Sequence, residues 1–113
     1  MSTNYIFILN ITAIQSDIFW ESPKKNINFL EKVLLDIAST DLIVLPEMFT
    51  TGFSMNAAKI SEPKFGDTFQ WMKRMAKELD TTILGSIPTV DNNKFYNRLY
   101  VVSGENFYHY DMS

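Results

Sequence analysis

The sequence predicts an α/β fold with the element order β-α-β-α-β-β-β. Short apolar runs rich in β-branched and aromatic residues alternate, in the first half, with two segments of helical apolar spacing. In the second half the runs are joined by turn sequences, Asp91-Asn92-Asn93 and Ser103-Gly104-Glu105-Asn106. The chain has 113 residues, of which 46% are hydrophobic and 20% charged, the usage of one globular domain or part of one. Parallel crossovers are therefore expected first and antiparallel hairpins after them.

Each element has its own warrant. Tyr5-Ile6-Phe7-Ile8-Leu9-Asn10-Ile11 is nearly continuous in its apolarity, which predicts a first strand covered on both faces. Ser22-Pro23 opens a helix, a capping hydroxyl before proline at the first helical position. Ile27, Leu30, Leu34 and Ile37 then recur at helical spacing, so a helix is expected from Pro23 to Ser39, with Asn28, Glu31, Lys32 and Asp36 outside. Lys24 and Lys25 sit in its first turn, where the helix dipole disfavours cations, and nothing in the sequence explains them beyond solvation. Leu42-Ile43-Val44-Leu45 reads as a buried strand stopped by Pro46.

Glu47 to Met55 is then expected as a loop. Asp67-Thr68 is expected to cap a second helix, whose apolar stripe is Phe69, Met72, Met75, Ala76 and Leu79. Its outer residues Lys73, Arg74 and Lys77 read as a solvated face. Thr82 to Ile87 is a third strand ended by Pro88, Phe95 to Val102 a fourth, and Phe107 to Tyr110 the start of a fifth. With no helix after it, that last strand would be an uncovered edge.

Charge and composition exclude several classes of function. Ten Lys+Arg against thirteen Asp+Glu leave a net charge of −3, so neither nucleic acid nor an anionic membrane is expected as a partner. With no cysteine, these residues can form no disulfide, thiolate metal site or cysteine nucleophile. The lone histidine, His109, reads as structural, and no metal is expected. Asn10-Ile11-Thr12-Ala13 has no glycine, so neither a phosphate loop nor a nucleotide cofactor is indicated, which disfavours a small flavodoxin-like binding module. The seven-residue run Tyr5–Ile11 is too short to span a bilayer and lacks the flanks of a signal peptide, so a soluble cytoplasmic protein is expected. Nine Phe, five Tyr and two Trp are many for this length; either the core is aromatic or some rings face a partner.

One residue is a candidate for chemistry. Glu47 directly follows a buried strand, at the carboxyl end where open α/β sheets place their ligands. Held among Leu45, Met48, Phe49 and Phe53, its carboxylate would be partly desolvated, and desolvation would raise its pKa toward the range of a general base. The alternative is a solvent-facing glutamate at a strand exit. Gly52 permits the sharp turn that closes the loop.

Leu45-Pro46-Glu47-Met48-Phe49-Thr50-Thr51-Gly52-Phe53-Ser54-Met55 resembles the first catalytic-glutamate segment of the nitrilase superfamily of carbon-nitrogen hydrolases, in the form found in its omega-amidase-like branch. Gln15 and Asp17, Gly85-Ser86 and Tyr96-Asn97 are similar to their counterparts in that family. The resemblance implies an α-β-β-α sandwich, of which this chain would be the amino-terminal part. It implies a Glu–Lys–Cys triad in which a thiolate attacks an amide or nitrile carbon, glutamate takes the thiol proton and lysine stabilises the oxyanion. Glu47 maps onto the general base, and Thr51 and Phe53 onto the substrate pocket beside it.

The chain departs from that pattern after Tyr110-Asp111, where Met112 stands in place of the expected lysine, and no cysteine segment follows. Residues 1–113 are thus expected to be a single partial domain, truncated before the lysine and cysteine segments and inactive alone. The complete protein would hydrolyse a terminal amide of a small 2-oxo acid as a homo-oligomer without a cofactor. The rival expectation is a non-catalytic, self-associating α/β half-domain.

Overall fold

The computed structural model describes residues 8–52 and 54–112. The elements are β1 (Ile11–Ala13), α1 (Pro23–Leu35), β2 (Leu42–Val44), α2 (Ala57–Ile60), β3 (Glu62–Pro63), α3 (Asp67–Leu79), β4 (Thr82–Asp91), β5 (Lys94–Ser103) and β6 (Asn106–Met112). The strands form one mixed sheet in the order β1-β2-β4-β5-β6, with β3 paired to the far end of β4. β1, β2 and β4 run parallel, and β4, β5 and β6 antiparallel, as the alternation and the turns predict. Asn92 and Asn93, both at positive φ (52° and 61°), make the two-residue turn between β4 and β5.

Residues opposite each other in a ladder share a face. One face carries Ile43, Ile83, Tyr100 and Val102, which join Leu30 and Leu34 of α1 and Phe69, Met72 and Met75 of α3 in the core. The helices are tied to one another outside that core: the Glu31 carboxylate accepts from Trp71 Nε1 (3.1 Å) and from Arg74 (2.7 Å). Arg74 and Lys77 are thus ion-paired as well as solvated, Lys77 with Glu105 at 3.7 Å. The other face carries Val44, Leu84, Leu99 and Val101, all half-buried, with Tyr108 and Tyr110 exposed.

Several expectations are corrected. Tyr5, Ile6 and Phe7 lie outside the described residues. Within them the first strand is Ile11–Ala13, and Ile8, Leu9 and Ile11 are exposed rather than covered. Among the described residues β1 is an edge strand, paired on one side only with the three residues of β2. Helix α1 ends at Leu35, not Ser39, because Asp36 and Ile37 donate three residues back to Val33 and Leu34 and tighten the last turn. Its expected cap is also absent: the Ser22 hydroxyl donates to the Trp20 carbonyl instead.

Between β2 and α3 lie two unexpected elements, α2 and β3. They bring Glu62 to the start of α3, where its carboxylate accepts the Thr68 N–H (2.9 Å) and hydroxyl, doing the work expected of Asp67-Thr68. Finally, β4 does not stop at Pro88. The Leu84 carbonyl points toward β2, since it accepts Leu45 N–H at 2.9 Å, and Pro88 shares its parity. The missing N–H therefore faces away from β5, in the gap between the end of β2 and the start of β3, and costs the β4–β5 ladder nothing.

Candidate active site

The loop after β2 is held from both sides. Leu45 extends the parallel ladder by one bond to Leu84. Beyond Pro46 and Glu47 the chain turns at Met48, a non-glycine residue at φ +51°. The buried Met48 N–H donates to Ser86 Oγ at 2.7 Å. Thr51 and Gly52 then donate back to the Met48 carbonyl at 3.2 and 2.8 Å, closing the turn. Gly52 is needed there: its φ is +76°, and a Cβ would meet the Trp20 ring at 3.2 Å.

The segment before α1 clamps the same loop. Glu21 N–H donates to the Thr51 carbonyl at 2.8 Å. Asn26, only 3% exposed, donates from Nδ2 to the Thr50 and Phe19 carbonyls and accepts the Phe19 N–H at Oδ1. The Glu21 carboxylate takes the Ser54 hydroxyl and the Lys59 ammonium, which together hold it below the usual carboxylate range.

Glu47 lines an open, mainly apolar groove of about 380 Å³ with Val44, Leu84, Ser86, Leu99 and Met112. Its side chain is exposed, so the expected desolvation among Leu45, Met48 and Phe49 does not occur. The left-handed turn at Met48 is the cause. It sends Met48 and Phe49 into the interior and leaves Glu47 on the open face of the sheet. Of the other candidates, Thr51 is fully buried with its hydroxyl donating to the Gly52 carbonyl at 2.8 Å, and it does not line the groove. Phe53 lies outside the described residues.

Met112 reaches the groove through the register of β6. Asn97 faces Met112, and Arg98 faces Asp111 one step on. Arg98 is 4% exposed and gives two bonds to Asp111 (2.6 and 3.0 Å) and one to Asp91 (3.2 Å). The bonds to Asp111 hold Arg98 above its ordinary pKa, and the same bonds hold the Asp111 carboxyl below the usual range. This pair lies on the helix-covered face; Met112 faces the other way.

The remaining motif residues are less directly involved. Gln15 and Asp17 are exposed beyond β1. Gly85 and Ser86 sit under the Glu47 loop, and Asn97 keeps its Oδ1 buried without a partner. His109 is exposed on β6, 6.1 Å from the Tyr100 ring across the ladder. Among the described residues no group of three or more His, Cys, Asp or Glu could hold a metal ion. No helix there is long and apolar enough to cross a membrane.

Sequence reasoning missed Asn26 and Arg98. Asn26 stands at the spacing of Leu30 and Leu34, so a polar residue on the apolar stripe could have marked it. Arg98 is an ionised side chain in the middle of a strand, directly before the apolar run Leu99 to Val102, a pattern that demands a charged partner.

Residues 10–109 match the carbon-nitrogen hydrolase family. The chain is 35% identical over 104 residues to an omega-amidase of Escherichia coli (strain K12), covering 91% of this chain and 40% of the relative. It is 31% identical over 101 residues to a 2-oxoglutaramate amidase of Bacillus subtilis (strain 168), covering 84% and 38%. A solved CN-hydrolase superfamily protein of Xanthomonas campestris superposes with a TM-score of 0.88 at 30% identity, over 94% of this chain and 41% of that one. The chain thus spans about two fifths of the length of these relatives.

Proposed function

The chain belongs to the carbon-nitrogen hydrolase family, and on that premise we propose that it is the amino-terminal portion of an amidase in which Glu47 is the general base. The observation that carries this reading is that Glu47 and Met112 line one groove at the carboxyl end of β2. By the family resemblance a catalytic lysine is expected at position 112, and a base and an oxyanion-stabilising cation must meet the same substrate carbon. In the complete triad, Glu47 takes the proton of a cysteine thiol as the thiolate adds to the amide carbon. It then delivers that proton to the departing ammonia, leaving a thioester that water hydrolyses with Glu47 again as base.

The substrate proposed is a small 2-oxo acid bearing a terminal amide, by likeness to the relatives named omega-amidase and 2-oxoglutaramate amidase. This chain has neither the thiol nor the lysine, so it is proposed to be inactive alone. The test is a chimera in which residues 1–111 replace the matching part of the Escherichia coli omega-amidase. Ammonia release from 2-oxoglutaramate is expected, falling roughly 10²- to 10⁴-fold on Glu47→Gln. Activity insensitive to Glu47→Gln sinks the assignment, and so does turnover by the 113-residue chain itself.

A second reading rests on the open face of the sheet. Leu84, Leu99 and Val101 are half-buried, and Tyr108 and Tyr110 are 73% and 69% exposed. Such a face favours a self-associating, non-catalytic half-domain. Light scattering after size exclusion tests it, since a monomer at high concentration removes it.

A further inference from the structure

We propose that Ser86 is the positioning residue for Glu47, a reading that rests on Glu47 as the base. The Met48 N–H is buried and needs an acceptor, but the β2–β4 ladder has already ended at Leu45 and Leu84. The Ser86 hydroxyl, 1% exposed, supplies that acceptor from the next turn of the pleat at 2.7 Å. The bond is made at a costly point. Met48 is a side chain with a Cβ at φ +51°, a conformation that persists only when its surroundings over-determine it.

The neighbour of Ser86 completes the grip. Phe49, fully buried, packs so closely on Gly85 that a Cβ there would lie 2.8 Å from its ring. Gly85 and Ser86 point to opposite faces of the sheet, so two consecutive residues of β4 seat two consecutive residues of the loop. With Met48 held by its N–H and Phe49 by its ring, the backbone just after Glu47 is fixed, and Glu47 lines the groove that Ser86 itself lines. Without the hydroxyl, the left-handed turn loses the acceptor of the Met48 N–H, and Glu47 is free to leave the groove.

The test is nuclear magnetic resonance on the 113-residue chain. In the wild type, the Met48 amide is expected to be protected from exchange, and Glu47 side-chain protons to show contacts to the Met112 methyl. Ser86→Ala should speed Met48 exchange roughly 10- to 100-fold relative to the amides of β4 and β5. It should also abolish the Glu47–Met112 contacts.

The pair Ser86→Thr and Ser86→Val keeps the question open to test if the alanine variant fails to fold. The two are nearly isosteric, and only threonine retains the oxygen, so threonine should keep both signals and valine lose both. A serine that merely packs would lower overall stability and leave the Met48 exchange ratio and the Glu47 contacts unchanged, which would overturn the proposal. Equal behaviour of threonine and valine would overturn it too. Glu47→Gln should leave Met48 protection intact. A chimera indifferent to Glu47→Gln would therefore remove the base and leave the Ser86–Met48 result standing.

Discussion

Asp111 accepts two hydrogen bonds from Arg98 across the β5–β6 ladder, at 2.6 and 3.0 Å, while the next residue, Met112, faces the opposite side of the sheet and the groove of Glu47. The side-chain period of a strand is two, so a slip of one residue would exchange these faces. The pair on the covered face therefore fixes what the open face presents.

Breaking that pair should be expensive. Asp111→Ala leaves a guanidinium that is 4% exposed with only the single bond to Asp91. The expected loss is about 2–3 kcal/mol in urea unfolding, less than the ~3–5 kcal/mol of a fully buried pair because Asp111 is partly in solvent. Arg98→Lys should not restore the wild type, since an ammonium cannot make the bidentate contact. Unfolding midpoints unchanged in both variants would show that the pair does not hold β6.

The same bonds set an acid limit on stability. Asp111 is held low chiefly by the hydrogen bonds of Arg98, Glu31 by that of Arg74, and Glu21 by that of the Ser54 hydroxyl. Each folded carboxyl has a lower pKa than its unfolded form, so the unfolded chain takes up protons first as pH falls. Their stabilisation is complete above the ordinary carboxylate range, near pH 4, and is lost as pH drops through the folded values. The urea midpoint should be flat from about pH 7 to 5 and fall below about pH 4.5. Asp111→Asn should make that fall shallower; an identical slope removes Asp111 from the account.

How much of this was legible in the sequence depends on where each determinant lies. Helix α3 and the β4–β5 hairpin could be read because their signals, an apolar stripe and an Asn-Asn turn, are local. Continuation of β4 past Pro88 could not, because it depends on which neighbouring strand the proline nitrogen faces, a matter of register. Which of the two readings of Glu47, desolvated or solvent-facing, holds could not be read for a similar reason. Its apolar neighbours in sequence do go inside, but the left-handed Met48, held by a serine 38 positions away, turns them from it. Position 47 stands out by its place directly after the β2 strand, and the role proposed for it comes from the motif around it.

Met112→Lys tests whether the groove brings positions 47 and 112 together. Met112 is half-buried and faces open space, so a lysine should be accommodated with its ammonium in solvent. Combined with Glu47→Gln in a double-mutant cycle, it should show an attraction of about 0.2–1 kcal/mol, the range of exposed ion pairs, weakening with added salt. A coupling of zero at low salt would mean that the two side chains do not meet.

Gly85→Ala should loosen the seat of the Glu47 loop from the other face. The added Cβ would lie 2.8 Å from Phe49 Cε1 and 3.2 Å from Leu45 Cδ1. Neither atom is the end of a free side chain, since Phe49 is fully buried and packs on Trp71 with ring centroids 6.0 Å apart. The ring must shift, and overpacking of this kind costs about 1–3 kcal/mol. Phe49→Leu alone should also destabilise, by leaving space beneath Trp71. Because each change relieves the other, the double variant should be more stable than the sum of the two losses allows. Strictly additive losses would mean that Gly85 is tolerated for its backbone alone and that no close contact with Phe49 seats the loop.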